Sequence, residues 1–307
     1  MNNPFFSIII PTYNRAGEIG RCISSVINQT FTSWEAIVID NFSEDNTEDI
    51  VKSFNDERIH YFKNHNYGVI SVSRNFGLDR AIGDWICFLD SDDAWMQNKL
   101  DVIYKYVKRY DIIYHEYACN MEHTHPFQNT DSHFFTVKGN TMRWLIQRGD
   151  PFSPSCTAVS SIFLGDTRFS EDKKLFAIED YDFFLMLMEK HPRTKHLKNK
   201  LTRYDVTTGV SHDNELHRYR SRVLFSKYRS KLTREEFRNV LKLYMMLKAG
   251  DYYENEPSKA RHYFWIAASS SIWLVKKKAL LYVLKTYFLQ GRNFIKKVNY
   301  CHKNLKV

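Results

Sequence analysis

The stretch Asp84-Trp85-Ile86-Cys87-Phe88-Leu89-Asp90-Ser91-Asp92-Asp93 decides how this chain is read. It begins as a short apolar run and ends in three carboxylates within four residues. An apolar run of this length, with almost no polar alternation, predicts a strand buried on both faces. Open α/β sheets keep their chemistry just beyond the carboxyl ends of such strands. Carboxylates crowded at a strand end repel one another unless a cation offsets them. They also offer the hard oxygen ligands that Mg²⁺ or Mn²⁺ prefers alongside substrate phosphates. Taken alone, Asp-Ser-Asp-Asp is more simply an acidic turn that caps the next helix, so the flanking sequence has to decide.

Upstream, Phe5 to Ile10 predicts a strand that Pro11-Thr12-Tyr13-Asn14 stops, and Arg15 to Gln29 carries Ile19, Ile23, Val26 and Ile27 at helical spacing. Strands are expected over Trp34 to Ile39 and Arg58 to Phe62, and helices over Thr47 to Phe54 and Ser71 to Ala81. This β-α-β-α-β-α-β alternation predicts a mainly parallel sheet with helices on both faces. The first strand-to-helix turn has no Gly-x-Gly-x-x-Gly, and no Gly-Lys-Ser/Thr loop occurs anywhere, which argues against a dehydrogenase or a P-loop enzyme.

Downstream, Asn98 to Tyr110 predicts a helix, Asp111 to Cys119 a strand, Thr141 to Arg148 a helix and Cys156 to Leu164 a strand-like run. Glu122 to His133 reads as a long loop, and its histidines (His123, His125 and His133, with His115 before them) lack the partners of a metal site. Ile178 to Met188 reads as a buried helix opened by Glu179, Asp180 and Asp182. The positive end of a helix favours one acid, and three leave a surplus to explain. Lys200 to Val206 predicts a last strand, followed by the polar segment that contains His212. Beyond it, Arg220 to Tyr228, Arg234 to Ala249, Pro257 to Ser270 and Ile272 to Phe288 predict helices. The expected division is residues 1–212 and 213–307.

Charge is uneven within the second part. From Ser271 to Val307 there are nine Lys or Arg and no Asp or Glu; the chain has 44 basic and 35 acidic residues, so everything before Ser271 is formally neutral. A nucleic-acid binder interleaves basic residues through its fold, and this chain does not. The five cysteines have neither paired nor metal-type spacing and suit a reducing cytosol. No signal peptide and no membrane-spanning run is evident. Ile272, Val275, Ala279, Val283 and Tyr287 can form one apolar stripe flanked by lysines. It reads either as a face for an anionic membrane or as packing against the preceding helices.

Five motifs then fall in order: Ser7-Ile8-Ile9-Ile10-Pro11-Thr12-Tyr13-Asn14, Val38-Ile39-Asp40, Ser73-Arg74-Asn75-Phe76-Gly77, Leu89-Asp90-Ser91-Asp92-Asp93 and Glu179-Asp180. Together they resemble glycosyltransferase family 2 over residues 5 to about 212. The resemblance implies a GT-A fold, a UDP-sugar donor, a divalent cation and inversion at the sugar carbon. It implies that Pro11, Thr12, Tyr13 and Asn14 line the nucleotide pocket, that Asp40 meets the uracil edge, and that Arg74 and Asn75 lie near the diphosphate or hold its loop. Asp90 and Asp92, with Ser91 between them, would meet the cation and the donor, and His212 is a third candidate ligand. Asp180 would be the base for the acceptor hydroxyl, with Glu179 supporting it or touching the acceptor. Asn41 stands where many relatives have a second acid. The resemblance further implies a lipid-linked or oligosaccharide acceptor, a role in bacterial surface polysaccharide synthesis and residence on the cytoplasmic face of the inner membrane. A nucleotidyltransferase would share the carboxylates and the cation, and would more often carry a glycine-rich basic loop near its N-terminus.

Overall fold

The structure, a computed structural model, describes residues 3–119, 134–139, 141–204, 214–253, 255–273 and 275–287. The expected histidine-rich loop, His212 and the end of the basic tail lie outside these residues. The chain divides into two compact units, one formed by Met1–Leu145 and Asp150–His212, the other by Ile146–Gly149 and Asp213–Val307.

The first unit holds β1 (Phe6–Thr12), α1 (Ile19–Ile27), β2 (Trp34–Asp40), α2 (Thr47–Ser53), β3 (Ile59–Lys63), α3 (Ile70–Leu78), β4 (Trp85–Phe88), β5 (Ala94–Trp95), α4 (Lys99–Tyr104), β6 (Ile112–Cys119), α5 (Met142–Ile146, which runs one residue past the boundary), β7 (Thr157–Ser160), α6 (Ser161–Leu164), α7 (Glu179–Glu189) and β8 (Thr194–Tyr204). Eight strands make one sheet in the order β3-β2-β1-β4-β7-β6-β8-β5. Every residue of β1, β2 and β4 is buried, as expected for strands covered on both faces. The pairs β1–β2, β1–β4, β2–β3 and β6–β8 are parallel; β4–β7, β6–β7 and β5–β8 are antiparallel. The βα alternation up to the acidic turn is wholly parallel, and among the described residues β6–β8 is the one parallel pair that follows it. The antiparallel pairs come after the turn.

Several boundaries differ from expectation for physical reasons. Pro11 does not stop β1, which pairs with β2 as far as Thr12↔Asp40. It ends the other ladder instead. Ile9 O accepts from Leu89 N at 3.0 Å, and the two-residue period aims the donor that Pro11 lacks toward the same neighbour. The chain after Phe88 is therefore released from β1 and turns away as the acidic loop. β8 starts at Thr194, six residues before the expected Lys200, because Lys195, Lys198 and Lys200 mask its pattern. β5 is two residues long, too short for any periodicity. The run from Cys156 splits into β7 and the short α6. Gly77 lets α3 lie against the sheet: a Cβ there would sit 2.6 Å from Ile9 Cγ2 and 3.0 Å from Ile39 Cδ1.

The second unit contains α8 (Asn214–Lys227), α9 (Arg234–Tyr252), α10 (Pro257–Ala268) and a helical run over 275–287. Thr233 and Glu236 form a capping box that starts α9. Asn239, buried, ties Gln147 Oε1 (3.1 Å) and Ser271 Oγ (2.9 Å) together. Of the apolar stripe that could face either a membrane or the preceding helices, the middle is turned inward and Tyr287 is exposed. Val275, Ala279 and Val283 are buried, with Ala279 packed among Ala267, Ala268, Met245, Met246 and Leu280. Burial within a helical layer removes more apolar surface from water than a half-wetted interface would.

Candidate active site

A cleft of about 360 Å³ opens at the carboxyl ends of β1, β2 and β4. Its lining comprises Pro11, Thr12, Tyr13 and Arg15 after β1, Asn41 after β2, Asn66 and Gly68 before α3, Ile70 and Arg74 on α3, Asp90, Ser91 and Asp92 after β4, Phe176, Ala177 and Glu179 at the start of α7, and Tyr204 at the end of β8. Six of the expected site residues on the first and fourth strands thus share one cavity with Arg74 and Glu179. Tyr13 is half exposed there.

The acidic turn is held from three sides. Asp93 N donates to Asp90 O (3.0 Å), and Arg21 Nη2 donates to Asp92 O (2.6 Å). Asp90 N donates to Ser155 Oγ (3.0 Å). The carbonyl of the same Ser155 accepts from Lys99 Nζ (2.6 Å), Thr202 Oγ1 (2.9 Å) and Trp95 Nε1 (3.1 Å). Lys99 is fully buried, and burial pushes its ammonium down to about 8. Arg15 Nη2 lies 3.5 Å from Asp92 Oδ2.

Arg74 joins the two acidic clusters that the sequence separates by some ninety residues. Its Nη2 donates to Asp90 Oδ1 (2.9 Å) and its Nη1 to Glu179 Oε1 (2.8 Å). The side chain is almost wholly buried, with its guanidinium 5.3 Å from the Phe169 ring centroid. Burial works against its charge, but Asp90, Glu179 and Asp180 more than offset that, and the guanidinium stays ionised. Asn75 turns away from the cleft and holds the 169–171 segment, accepting from Phe169 N (2.9 Å) and donating to Phe169 O (3.0 Å) and Glu171 Oε1 (2.8 Å).

Asp180 lies one residue beyond Glu179. Burial first, and then the Glu179 charge, push its carboxyl up to about 7 against the pull of Arg74. Capping does not account for it: the N-cap of α7 is Ile178, which makes no side-chain cap, and Asp180 Oδ1 accepts only from its neighbour Tyr181 N (2.7 Å) in the first turn. Asp150 is pushed well up by burial and by Asp180.

Asp40 and Asn14 are placed differently from the other expected residues. Asp40 is fully buried below the cleft, with Oδ1 accepting from Ser43 N (2.9 Å) and Ser43 Oγ (2.6 Å) and Oδ2 from Tyr61. The lining carries Asn41 instead. Asn14, at φ 50°, clasps the loop after β2: its N donates to Ser43 Oγ (2.8 Å) and its Oδ1 accepts from Glu44 N (2.8 Å). Three buried atoms of lining residues, Thr12 Oγ1, Arg74 Nε and Glu179 Oε2, make no hydrogen bond. Buried polar atoms without a partner are uncommon, and these belong to residues that line one cleft.

The residues fit a divalent cation held jointly with a diphosphate. Asp90 and Asp92 supply two hard oxygen donors at the cleft, and among the described residues no third His, Cys, Asp or Glu completes an all-protein site. Sequence reasoning missed Ser155 and Lys99. Neither lies in a charged pattern, and only the tertiary fold brings them behind the turn.

Comparison with known proteins identifies the family and the fold. The Glycosyl transferase family 2 profile matches residues 7–161, which is 155 of 307 residues. The UDP-Glc:alpha-D-GlcNAc-diphosphoundecaprenol beta-1,3-glucosyltransferase WfgD of Escherichia coli is 43% identical over 102 residues, covering 33% of this chain and 40% of that protein. The chain thus spans only two fifths of that relative's length. The putative colanic acid biosynthesis glycosyl transferase WcaA of Escherichia coli K12 is 30% identical over 200 residues, covering 62% of this chain and 68% of that protein. Among solved structures, S. aureus TarS 1–349 in complex with UDP-GlcNAc superposes with a TM-score of 0.59 at 18% identity, covering 92% of this chain and 89% of that one. That likeness establishes the GT-A-type fold. The chain belongs to glycosyl transferase family 2.

Proposed function

We propose that this chain transfers a hexosyl group (glucose, galactose or an N-acetylhexosamine) from a UDP-sugar to a lipid-diphosphate-linked saccharide, with inversion. The setting would be O-antigen, capsule or lipopolysaccharide synthesis on the cytoplasmic face of the inner membrane. One observation carries the reading: two unlike carboxylate clusters, bridged by Arg74, meet at one cleft at the carboxyl ends of the strands. The names of WfgD and TarS supply the chemistry of donor and acceptor by analogy.

In this reading Asp90 and Asp92 hold Mg²⁺ or Mn²⁺, with His212 a further candidate ligand. Bound there, the cation neutralises charge on the departing diphosphate as a Lewis acid. Thr12, Tyr13 and Asn41 face the nucleotide, and Thr12 Oγ1 gains the partner it lacks. Asp40 and Asn14 act one layer back, fixing the loop that carries Asn41. Ser91 lies against the donor, and Pro11 fixes where the cleft opens. Asp180 accepts the proton of the acceptor hydroxyl as the new bond forms on the sugar face opposite the leaving diphosphate. A carboxyl poised near 7 is suited to that task at neutral pH. Glu179, neutralised by Arg74 on one oxygen, offers the other to the acceptor.

The test is a donor screen against synthetic lipid-diphosphate sugars. The expected result is acceptor-dependent release of a nucleoside diphosphate that a chelator stops. Release of pyrophosphate, or turnover indifferent to chelation, would overturn the reading.

A further inference from the structure

The helical run over 275–287 has an inward side and an outward side of unlike chemistry. Val275, Ala279, Tyr282, Val283 and Thr286 are buried. On the opposite side Trp273 is 69% exposed, Leu284 60%, Tyr287 54% and Leu281 49%. At the angular step of an α-helix these four lie within an arc of roughly 120°. Lys276 and Lys277, both exposed, project from the same arc and its edge. Arg261 of α10 places its guanidinium 3.8 Å from the centroid of the Tyr287 ring. One turn along α10, Trp265 is 53% exposed. Isolated exposed apolar residues are ordinary on a soluble surface. Two tryptophans and two leucines exposed on neighbouring helices, set among lysines, are not.

We propose that this outward face, Trp273, Leu281, Leu284 and Tyr287 with Trp265, docks on an anionic lipid surface, and that Lys276 and Lys277 sit at its headgroups. Charge selects this occupant. No acid occurs from Ser271 to Val307, against nine basic residues. A second copy of the chain would bring like charges together on the same patch, which opposes self-association. Tryptophan at the boundary, leucine below it and lysine reaching back to water is the distribution that an interfacial helix adopts. No helix among the described residues is long and apolar enough to cross a membrane, so docking here is in the plane of the surface. The proposal deepens the lipid-linked acceptor reading by naming the face that would meet the lipid. It needs neither donor nor catalysis to be tested.

The experiment is flotation of the full chain with phosphatidylcholine vesicles of graded phosphatidylglycerol content. It compares wild type, Trp273→Ser/Leu284→Ser and Lys276→Gln/Lys277→Gln. Each basic residue near an anionic surface contributes about 1 kcal/mol, so the lysine pair should weaken partition roughly thirtyfold. The Trp/Leu variant should lose binding at every phosphatidylglycerol content. Because these positions face water, both variants should keep the wild-type melting temperature. Brominated anionic lipid should quench wild-type tryptophan emission, and Trp273→Phe should lose a measurable part of that quenching. Unchanged partition in both variants, or partition indifferent to lipid charge, would overturn the proposal. So would a wild-type dimer that the Trp/Leu variant turns into a monomer without any vesicle binding. Failed flotation beside intact transfer to a water-soluble acceptor would sink the face and leave the function standing. Intact flotation without transfer would do the reverse.

Discussion

The acidic turn after β4 and the acidic start of α7 both gather carboxylates around Arg74, yet they differ in exposure. Asp90 and Asp92 keep 28% and 17% of their side-chain surface open, with Arg74 against one and Arg15 against the other. Glu179 retains 7%, and Asp180 beside it is pushed up to about 7. Surroundings that push like groups apart divide their labour. The more open turn suits a cation, while α7 holds a carboxyl, Asp180, that can gain and lose a proton. Arg74 belongs to both, and its charge keeps the Asp180 carboxyl from being pushed up still further.

Removing that link should have the largest effect. Arg74→Met strands Glu179 and frees Asp90, and should cost about 3 kcal/mol of stability. This is the low end for breaking a buried pair, because Asp90 stays partly open to water. Denaturant midpoints check it, and a loss below about 1 kcal/mol would mean that water already serves these carboxylates. Next, Asp92→Asn should lower transfer by about a hundredfold or more through a weaker cation site, with an unchanged melting temperature. Near-normal, chelator-resistant turnover would remove the turn from the chemistry. Smaller still, Ser155→Ala removes one hydrogen bond to Asp90 N and leaves the carbonyl that holds Lys99, Thr202 and Trp95 untouched. It should cost about 1 kcal/mol and raise the cation concentration needed for half-maximal rate. An unchanged cation requirement would limit Ser155 to the core.

How much of this was legible depended on where the deciding interaction lay. β1, β2 and β4 are covered on both faces, so their apolar runs announced them. β8 mixes lysines with buried Leu197 and Leu201, and its first six residues carried no legible strand pattern. The carboxylates could be read because chemistry confines them to short motifs. Ser155 and Lys99 could not, since a serine in a turn and a lysine in a helix gain their roles only by packing behind the Asp90 backbone. The last helix shows the limit most plainly. Its periodicity picked out Val275, Ala279 and Val283, which are buried, but it also included Tyr287, which is exposed, and nothing local said which way the stripe would face.

The central claim, that Asp180 is a carboxyl poised to take the proton of the acceptor, is tested most directly by the pH dependence of kcat/KM. Asp180 has a folded pKa near 7, well above the ordinary carboxylate range. Its contribution to stability is therefore present at low pH and is lost as pH rises through about 7. Wild type should show kcat/KM falling tenfold per pH unit below about 7. Asp180→Asn should be at least about a hundredfold slower, lack that acidic limb, and melt higher than wild type above pH 7. An acidic limb that survives in Asp180→Asn, or a wild-type profile flat from pH 5 to 8, would contradict the account.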